Sequence, residues 1–224
     1  MEADYKELAR QIDASAKIRP KAILFDYGNV LSLPQQPADV EEMAEVCGIA
    51  SGRLHHLYWK FRGPYDSGEL DARAYWDRVA SEEQKEFSDR QIAQIVEIDA
   101  RSWSRPNDDS LRWVEQLRQA GFPLALLSNM PLEIKDYLLC HCDWLQVFQS
   151  LVFSCDVRAV KPDPSIYAKC LEEIGLPPRQ VLFFDDRQEN VDGAAKTGMH
   201  AFLFDSVDQA SARAAEKFDL PRFG

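Results

Sequence analysis

The chain has 224 residues, 46% apolar and 28% charged, a balance that suits a globular fold and excludes a disordered chain. Its formal net charge of −11 repels a nucleic-acid backbone, no basic patch offsets it, and no apolar run is long enough to span a bilayer. The acidic start, Met1-Glu2-Ala3-Asp4-Tyr5-Lys6, lacks the order of a secretory signal, and an odd count of five cysteines fits reduced thiols, so a cytoplasmic protein is expected.

Tyr5, Leu8 and Ile12 recur at helical spacing, and residues 1–20 are expected to form a short amphipathic helix ending at Arg19-Pro20. That helix packs either on its own core or on a partner subunit. The run Lys21-Ala22-Ile23-Leu24-Phe25 then reads as a buried strand that ends on Asp26 and breaks at Gly28. An acid at the carboxyl end of a strand either lines a site or caps the following turn.

Beyond the turn-rich Ser32-Leu33-Pro34-Gln35-Gln36-Pro37 the periodicity becomes helical. Val40, Met43, Ala44 and Cys47 form one face, stopped by Gly48. Ser51 is expected to cap a second helix carrying Leu54, Leu57, Tyr58 and Phe61, with Gly63-Pro64 breaking the chain. Asp71 caps a third with Tyr75, Trp76 and Val79, and Ser88 a fourth with Ile92, Ile95 and Val96. Residues 35–103 therefore read as an all-helical insert whose aromatics mostly form its own core, with 21–34 and 104–224 as the surrounding domain.

From Asp109 onward helices and short apolar runs alternate. A helix with Leu111, Val114 and Leu117 ends at Gly121, and Pro123–Leu127 reads as a strand stopping at Ser128-Asn129. A helix follows Met130-Pro131, then a strand Leu151–Ser154, a helix Pro164–Ile174, and a strand Val181–Phe184 running into Asp185-Asp186. A helix from Asn190 to Thr197, a strand Ala201–Phe204 and a helix from Gln209 to Phe218 complete the series. This rhythm implies an α/β fold with a parallel sheet covered on both faces. Cys140-His141-Cys142 is too tightly spaced for a zinc pair and reads as buried helix cysteines.

In a parallel sheet the strand ends share one edge. Asp26, Ser128, Asn129, Asp185 and Asp186 then converge, joined by Lys161 from Val160-Lys161-Pro162-Asp163. Adjacent carboxylates oppose joint ionisation unless a cation sits among them, and a hard divalent ion such as Mg2+ relieves the repulsion. Lys161, the Ser128 hydroxyl and the backbone N–H groups of Tyr27, Gly28 and Asn129 can meet phosphate oxygens, while Asp26 is placed to attack phosphorus in line. Each part alone has an ordinary reading as a turn, a helix start or a capping pair; their combination in this order points to a site.

The motifs Phe25-Asp26-Tyr27-Gly28-Asn29-Val30-Leu31, Leu127-Ser128-Asn129, Val160-Lys161-Pro162-Asp163-Pro164-Ser165-Ile166-Tyr167 and Phe184-Asp185-Asp186-Arg187-Gln188-Glu189-Asn190-Val191 with Gly193-Ala194 together resemble the haloacid dehalogenase-like hydrolase superfamily. The likeness is to its phosphatases with a helical cap inserted after the first strand. It implies a Rossmann-like, doubly wound core and a catalytic pair in Asp26, the nucleophile, and Lys161. It also implies Mg2+ at Asp26, Gly28 (through its carbonyl), Asp185 and Asp186, phosphate held by Ser128 and Lys161, and a small phosphorylated metabolite as substrate.

One position departs from the pattern. Many phosphatases of the superfamily carry a second Asp two residues after the nucleophile, as general acid and base, and here that position is Gly28. Proton transfer, often worth ~100- to 10,000-fold, must then come from elsewhere or from the substrate. Two other readings stay open: a metal-independent 2-haloacid dehalogenase, and a phosphate-ligand binding protein with little turnover. Arg62, Tyr65 and Arg73 flank the breaks of the cap and are its candidates to reach substrate, whereas His55 and His56 read as cap surface or core. The expected assembly is a monomer or homodimer.

Overall fold

The computed structural model describes residues 17–224 and builds five parallel strands and eleven helices from them. Most of the expected N-terminal helix lies outside the described residues. Residues 17–20 are not helical: Ile18 bridges to Phe218 in parallel, and the Arg19 guanidinium lies 4.2 Å over the Phe122 ring.

Strand β1 (Ala22–Phe25) is followed by helices α1 (Pro37–Cys47), α2 (Ser51–Lys60), α3 (Arg62–Asp66), α4 (Ala72–Glu82) and α5 (Asp89–Ser102). Then come α6 (Asp108–Gln119), β2 (Leu124–Ser128), α7 (Leu132–His141), β3 (Ser150–Phe153) and the one-turn α8 (Ser154–Val157). Helix α9 (Pro164–Ile174), β4 (Val181–Asp185), α10 (Gln188–Lys196), β5 (His200–Leu203) and α11 (Val207–Lys217) end the chain.

The sheet order is β3-β2-β1-β4-β5, which puts β1 at the centre. Ile23 and Phe25 of β1, Leu124 and Leu126 of β2, and Leu182 and Phe184 of β4 face one apolar cluster with α6, α7 and α11. Leu24, Ala125, Leu127, Val181 and Phe183 face the opposite cluster with α9 and α10. Both faces are covered, so the strands are continuous apolar runs, and the expected doubly wound α/β architecture is present. Phe25 pairs with Leu126 on one side and Phe184 on the other. That register brings the residues at the strand ends, Asp26, Ser128 and Asp185, to one edge.

The five helices between β1 and α6 have an apolar cluster of their own, built on Leu54, Leu57, Tyr75, Trp76, Val79 and Ile95. Gly48 closes α1 in the left-handed conformation, the Asp71 side chain accepts from Ala74 N–H, and Ser88 forms a capping box with Gln91. Two local expectations are corrected. The N-cap of α2 is Ala50, with Ser51 already inside the helix. Gly63-Pro64 does not break the chain but lies within α3, because a proline in a first helical turn gives up an N–H that has no intrahelical acceptor. His55 and His56 are exposed. Cys140 is exposed as well, contrary to its expected burial, whereas Cys142 beyond the end of α7 is buried.

Candidate active site

Asp26 leaves β1 with its N–H donated to the Phe184 carbonyl at 2.9 Å, so the sheet ladder itself fixes the residue. The chain then turns tightly: the Tyr27 carbonyl accepts from Leu31 N–H at 2.8 Å and Ser32 N–H at 3.0 Å, and Asn29 takes a positive φ of 58°. The Tyr27 hydroxyl donates to the Trp103 carbonyl at 2.8 Å and its ring stacks on Trp144, tying the turn to the end of α5 and to the core.

Lys161 Nζ lies 2.7 Å from Asp26 Oδ1 and 2.6 Å from Asp185 Oδ2, and it donates to the Leu127 carbonyl at 2.9 Å. Its three N–H bonds are thereby all engaged. Asn129 holds the lysine backbone from both directions, accepting from Lys161 N–H at 2.8 Å and donating to the Lys161 carbonyl at 3.0 Å. The amide of Asn129 is therefore a positioning group for Lys161.

Asp185 is fully buried. Its Oδ1 accepts from Arg187 N–H at 2.9 Å and from Asn190 Nδ2 at 2.9 Å, so it sits behind the front of the site. Asp186 is the neighbour that opens onto the cleft, with Oδ2 accepting from Asn29 Nδ2 at 2.9 Å. Burial pushes the Asp26 carboxyl up, Lys161 pulls it down, and the charges of Asp185 and Asp186 push it up again, leaving it above the ordinary carboxylate value. Asp186 is shifted the same way, chiefly by burial.

Asp26, Asp185 and Asp186 each offer an oxygen, and these atoms lie within 4.8 Å of one another. A cluster of three carboxylates offering hard oxygen donors, two of them opening on the cleft, fits a divalent cation such as Mg2+. No other His, Cys, Asp or Glu cluster of this kind exists among the described residues.

The cleft is bounded by Asp26, Gly28, Ser128, Lys161 and Asp186 below and Trp59, Arg62 and Asp66 above. Of the three cap candidates only Arg62 reaches it. Tyr65 is buried, stacked on Tyr75 in the cap core, and Arg73 is on the surface in ion pairs with Asp77 and Asp89. Arg62 donates to Asp66 at 2.6 Å and to Asp99 at 3.2 Å, and Asp99 also accepts from the Tyr58 hydroxyl at 2.8 Å.

Sequence reasoning assigned no role to Asn29, Asn190, Asp66, Trp59 or Trp103. The first two lie inside the quoted motifs and orient acids, so their spacing from Asp26 and Asp185 was a usable signal. Asp66 and the tryptophans come from the insert, where no spacing connects them to the strand ends.

A model of the haloacid dehalogenase-like hydrolases matches residues 20–198. Phosphatase MT3486 of Mycobacterium tuberculosis is 24% identical over 192 residues, covering 84% of this chain and 88% of that protein. The chain spans less than half the length of several other curated relatives. Among solved structures, the HAD family enzyme BT-2542 of Bacteroides thetaiotaomicron, in complex with magnesium and inorganic phosphate, aligns with a TM-score of 0.65 at 20% identity over 83% of this chain and 93% of that one. L-2-haloacid dehalogenase of Xanthobacter autotrophicus aligns with a TM-score of 0.65 at 20% identity, over 88% of this chain and 82% of that one.

Proposed function

The chain belongs to the haloacid dehalogenase-like hydrolases, and from that premise we propose that it is an Mg2+-dependent phosphatase acting on a small phosphorylated metabolite such as a sugar phosphate. The observation that carries this reading is the gathering of carboxylate oxygens from Asp26, Asp185 and Asp186 within 4.8 Å of one another. A buried site that attacks a neutral carbon gains nothing from such mutual repulsion, whereas a site that binds a cation with a phosphate dianion needs it. The phosphatase named among the relatives and the magnesium and phosphate of the Bacteroides enzyme support the same choice.

Lys161 holds Asp26 through Oδ1, which leaves Oδ2 for attack. As the bond from Asp26 to phosphorus forms, the bond from phosphorus to the leaving oxygen breaks and that oxygen takes a proton. Water then hydrolyses the aspartyl-phosphate and restores the carboxylate. The Ser128 hydroxyl and the backbone N–H groups of Tyr27, Gly28 and Asn129 hold phosphate oxygens, and Lys161 offsets the charge beneath them. Asp26, Asp186 and the Gly28 carbonyl, with Asp185 close behind, would hold Mg2+, which would supply positive charge to the phosphoryl oxygens.

A metal-independent 2-haloacid dehalogenase is the second reading, favoured by the Lys161 ammonium, which already neutralises part of the acidic cluster. One set of assays separates the readings. Phosphate release from a panel of sugar phosphates, nucleotides and acyl phosphates that stops with EDTA and returns with Mg2+ supports the phosphatase. Halide release from 2-haloacids in EDTA supports the dehalogenase, and phosphate binding without release supports a binding protein.

A further inference from the structure

We propose that Asp66, from the helical cap, is the catalytic acid and base that serves the leaving group across the cleft from Asp26. The proposal rests on the phosphatase reading and assigns the one chemical role that the strand ends leave open. An alkoxide leaves phosphorus poorly, so a group in the cleft must hand it a proton.

The titratable groups lining the cleft are few. Lys161 has its three donors engaged by Asp26, Asp185 and Leu127. Arg62 and Arg187 do not give up protons. The Tyr27 hydroxyl donates to the Trp103 carbonyl and its own titration is driven far up by burial. Asp186 is bound by Asn29 next to Asp185, and Asp26 is the attacking group. Glu189, at the outer part of the cleft, is tied to Arg187 in an ion pair. Among the described residues that line the cleft, that leaves Asp66.

Its position is fixed from both sides. Within the cap, Arg62 grips Asp66 Oδ1 at 2.6 Å and is itself braced by Asp99, so one oxygen is held and the other is left for the substrate. From the core, the Ser154 hydroxyl donates to the Asp66 carbonyl at 2.5 Å while accepting from Met130 N–H at 2.9 Å, two residues beyond Ser128. Arg158 donates to the Gly68 carbonyl at 2.5 Å. Gly68, at φ +68°, lies so close to the Cys155 backbone that a Cβ would stand 2.9 Å from its carbonyl oxygen. The cap is thus fastened to the core at the residues that carry the acid.

The surroundings suit proton exchange. Asp66 is only 8% exposed, and burial raises its carboxyl against the pull of Arg62, with Asp99 adding to the rise and Arg187 opposing it. In the first half-reaction the Asp66 carboxyl gives its proton to the leaving oxygen as the phosphorus–oxygen bond breaks, and Arg62 stabilises the carboxylate left behind. In the second, that carboxylate takes a proton from the water attacking the aspartyl-phosphate, which returns Asp66 to its starting form.

The test compares wild type with Asp66→Asn on an alkyl phosphate and on p-nitrophenyl phosphate, both with Mg2+. For the variant, kcat/KM on the alkyl phosphate is expected to fall about 100-fold or more, the scale of a positioned acid, and on p-nitrophenyl phosphate far less. Equal falls on both, or no fall on either, would overturn the proposal. In case the variant does not fold, a graded series of aryl and alkyl phosphates on wild type gives an independent answer. A shallow dependence on leaving-group basicity supports the assignment, and a steep one rules it out. Wild type that releases phosphate from neither probe overturns the phosphatase reading, and this one with it; activity with the wrong leaving-group pattern overturns this one alone.

Discussion

Lys161 Nζ lies 2.7 Å from Asp26 Oδ1 in a place where both groups are buried, and its second bond, at 2.6 Å, reaches Asp185. One ammonium therefore holds two carboxylates together, while burial depresses the lysine and the two acids raise it, with the acids prevailing.

Removing either member has unequal results. Lys161→Met leaves two facing buried carboxylates without their cation and is expected to cost about 3–5 kcal/mol of stability, the scale for breaking a buried pair. Urea unfolding would measure it, and Mg2+ should recover part of the loss. Asp26→Asn keeps the shape and leaves Lys161 its bond to Asp185. It is expected to unfold close to wild type while phosphate release falls beyond detection, because the nucleophile is gone.

The core and its edge were legible in the sequence because the three central strands, β2, β1 and β4, are buried on both faces. Such strands are short continuous apolar runs, and the polar residue that ends each one stands out: Asp26, Ser128 and Asp185 are all found at the same edge. What each acid faces was not legible. Asp185 and Asp186 are adjacent in sequence, yet one is enclosed by Asn190 and Arg187 and the other opens onto the cleft, a difference set by the turn into α10. The cap was readable as helices but not as a surface. Tyr65 and Arg62 are three residues apart, and only the packing of α3 on Tyr75 sends the first inward and leaves the second at the cleft. The i,i+4 pairing of Arg62 with Asp66 is readable as helix spacing, but the place of Asp66 at the cleft is not, because it depends on how the insert sits on the core at Ser154.

Gly28→Asp tests whether an acid can be restored from the strand side. A Cβ at Gly28 meets only Trp103 Cζ3, at 3.6 Å, an ordinary contact, and the backbone there is not left-handed. The substitution should fold. In an Asp66→Asn background it is expected to return alkyl-phosphate turnover toward the ~100-fold that a positioned acid supplies, and to change p-nitrophenyl phosphate turnover much less. A double variant no better than Asp66→Asn would show that Trp103 denies the new side chain access to the leaving oxygen.

Gly68→Ala probes the fastening of the cap. The residue has φ +68° and its new Cβ would press on the Cys155 carbonyl at 2.9 Å, which is backbone and cannot turn aside. The left-handed conformation alone costs a non-glycine residue about 1–2 kcal/mol. A loss of at least that size is expected in denaturant unfolding, with KM rising as the cap lifts from Ser154 and Arg158.

Asp39 supplies the pH dependence at the joint between cap and core. It closes the capping box of α1 with Gln36 and accepts from both terminal nitrogens of Arg105, which lies on the return crossing from α5 to α6. Burial works against the charge of this carboxyl, but the bonds from Arg105 and Gln36 outweigh it and hold the group below its ordinary value of 3.8. A group depressed in the folded state stabilises the fold above its unfolded value and loses that contribution as pH falls through the folded one. Wild type should therefore lose stability as pH drops below about 4, the range where a free Asp protonates. Asp39→Asn should be less stable at neutral pH and show a flatter decline over the acid range. Thermal unfolding midpoints taken in steps from pH 7 to pH 3 would check this, and parallel curves for the two proteins would remove Asp39 as the source of the acid sensitivity.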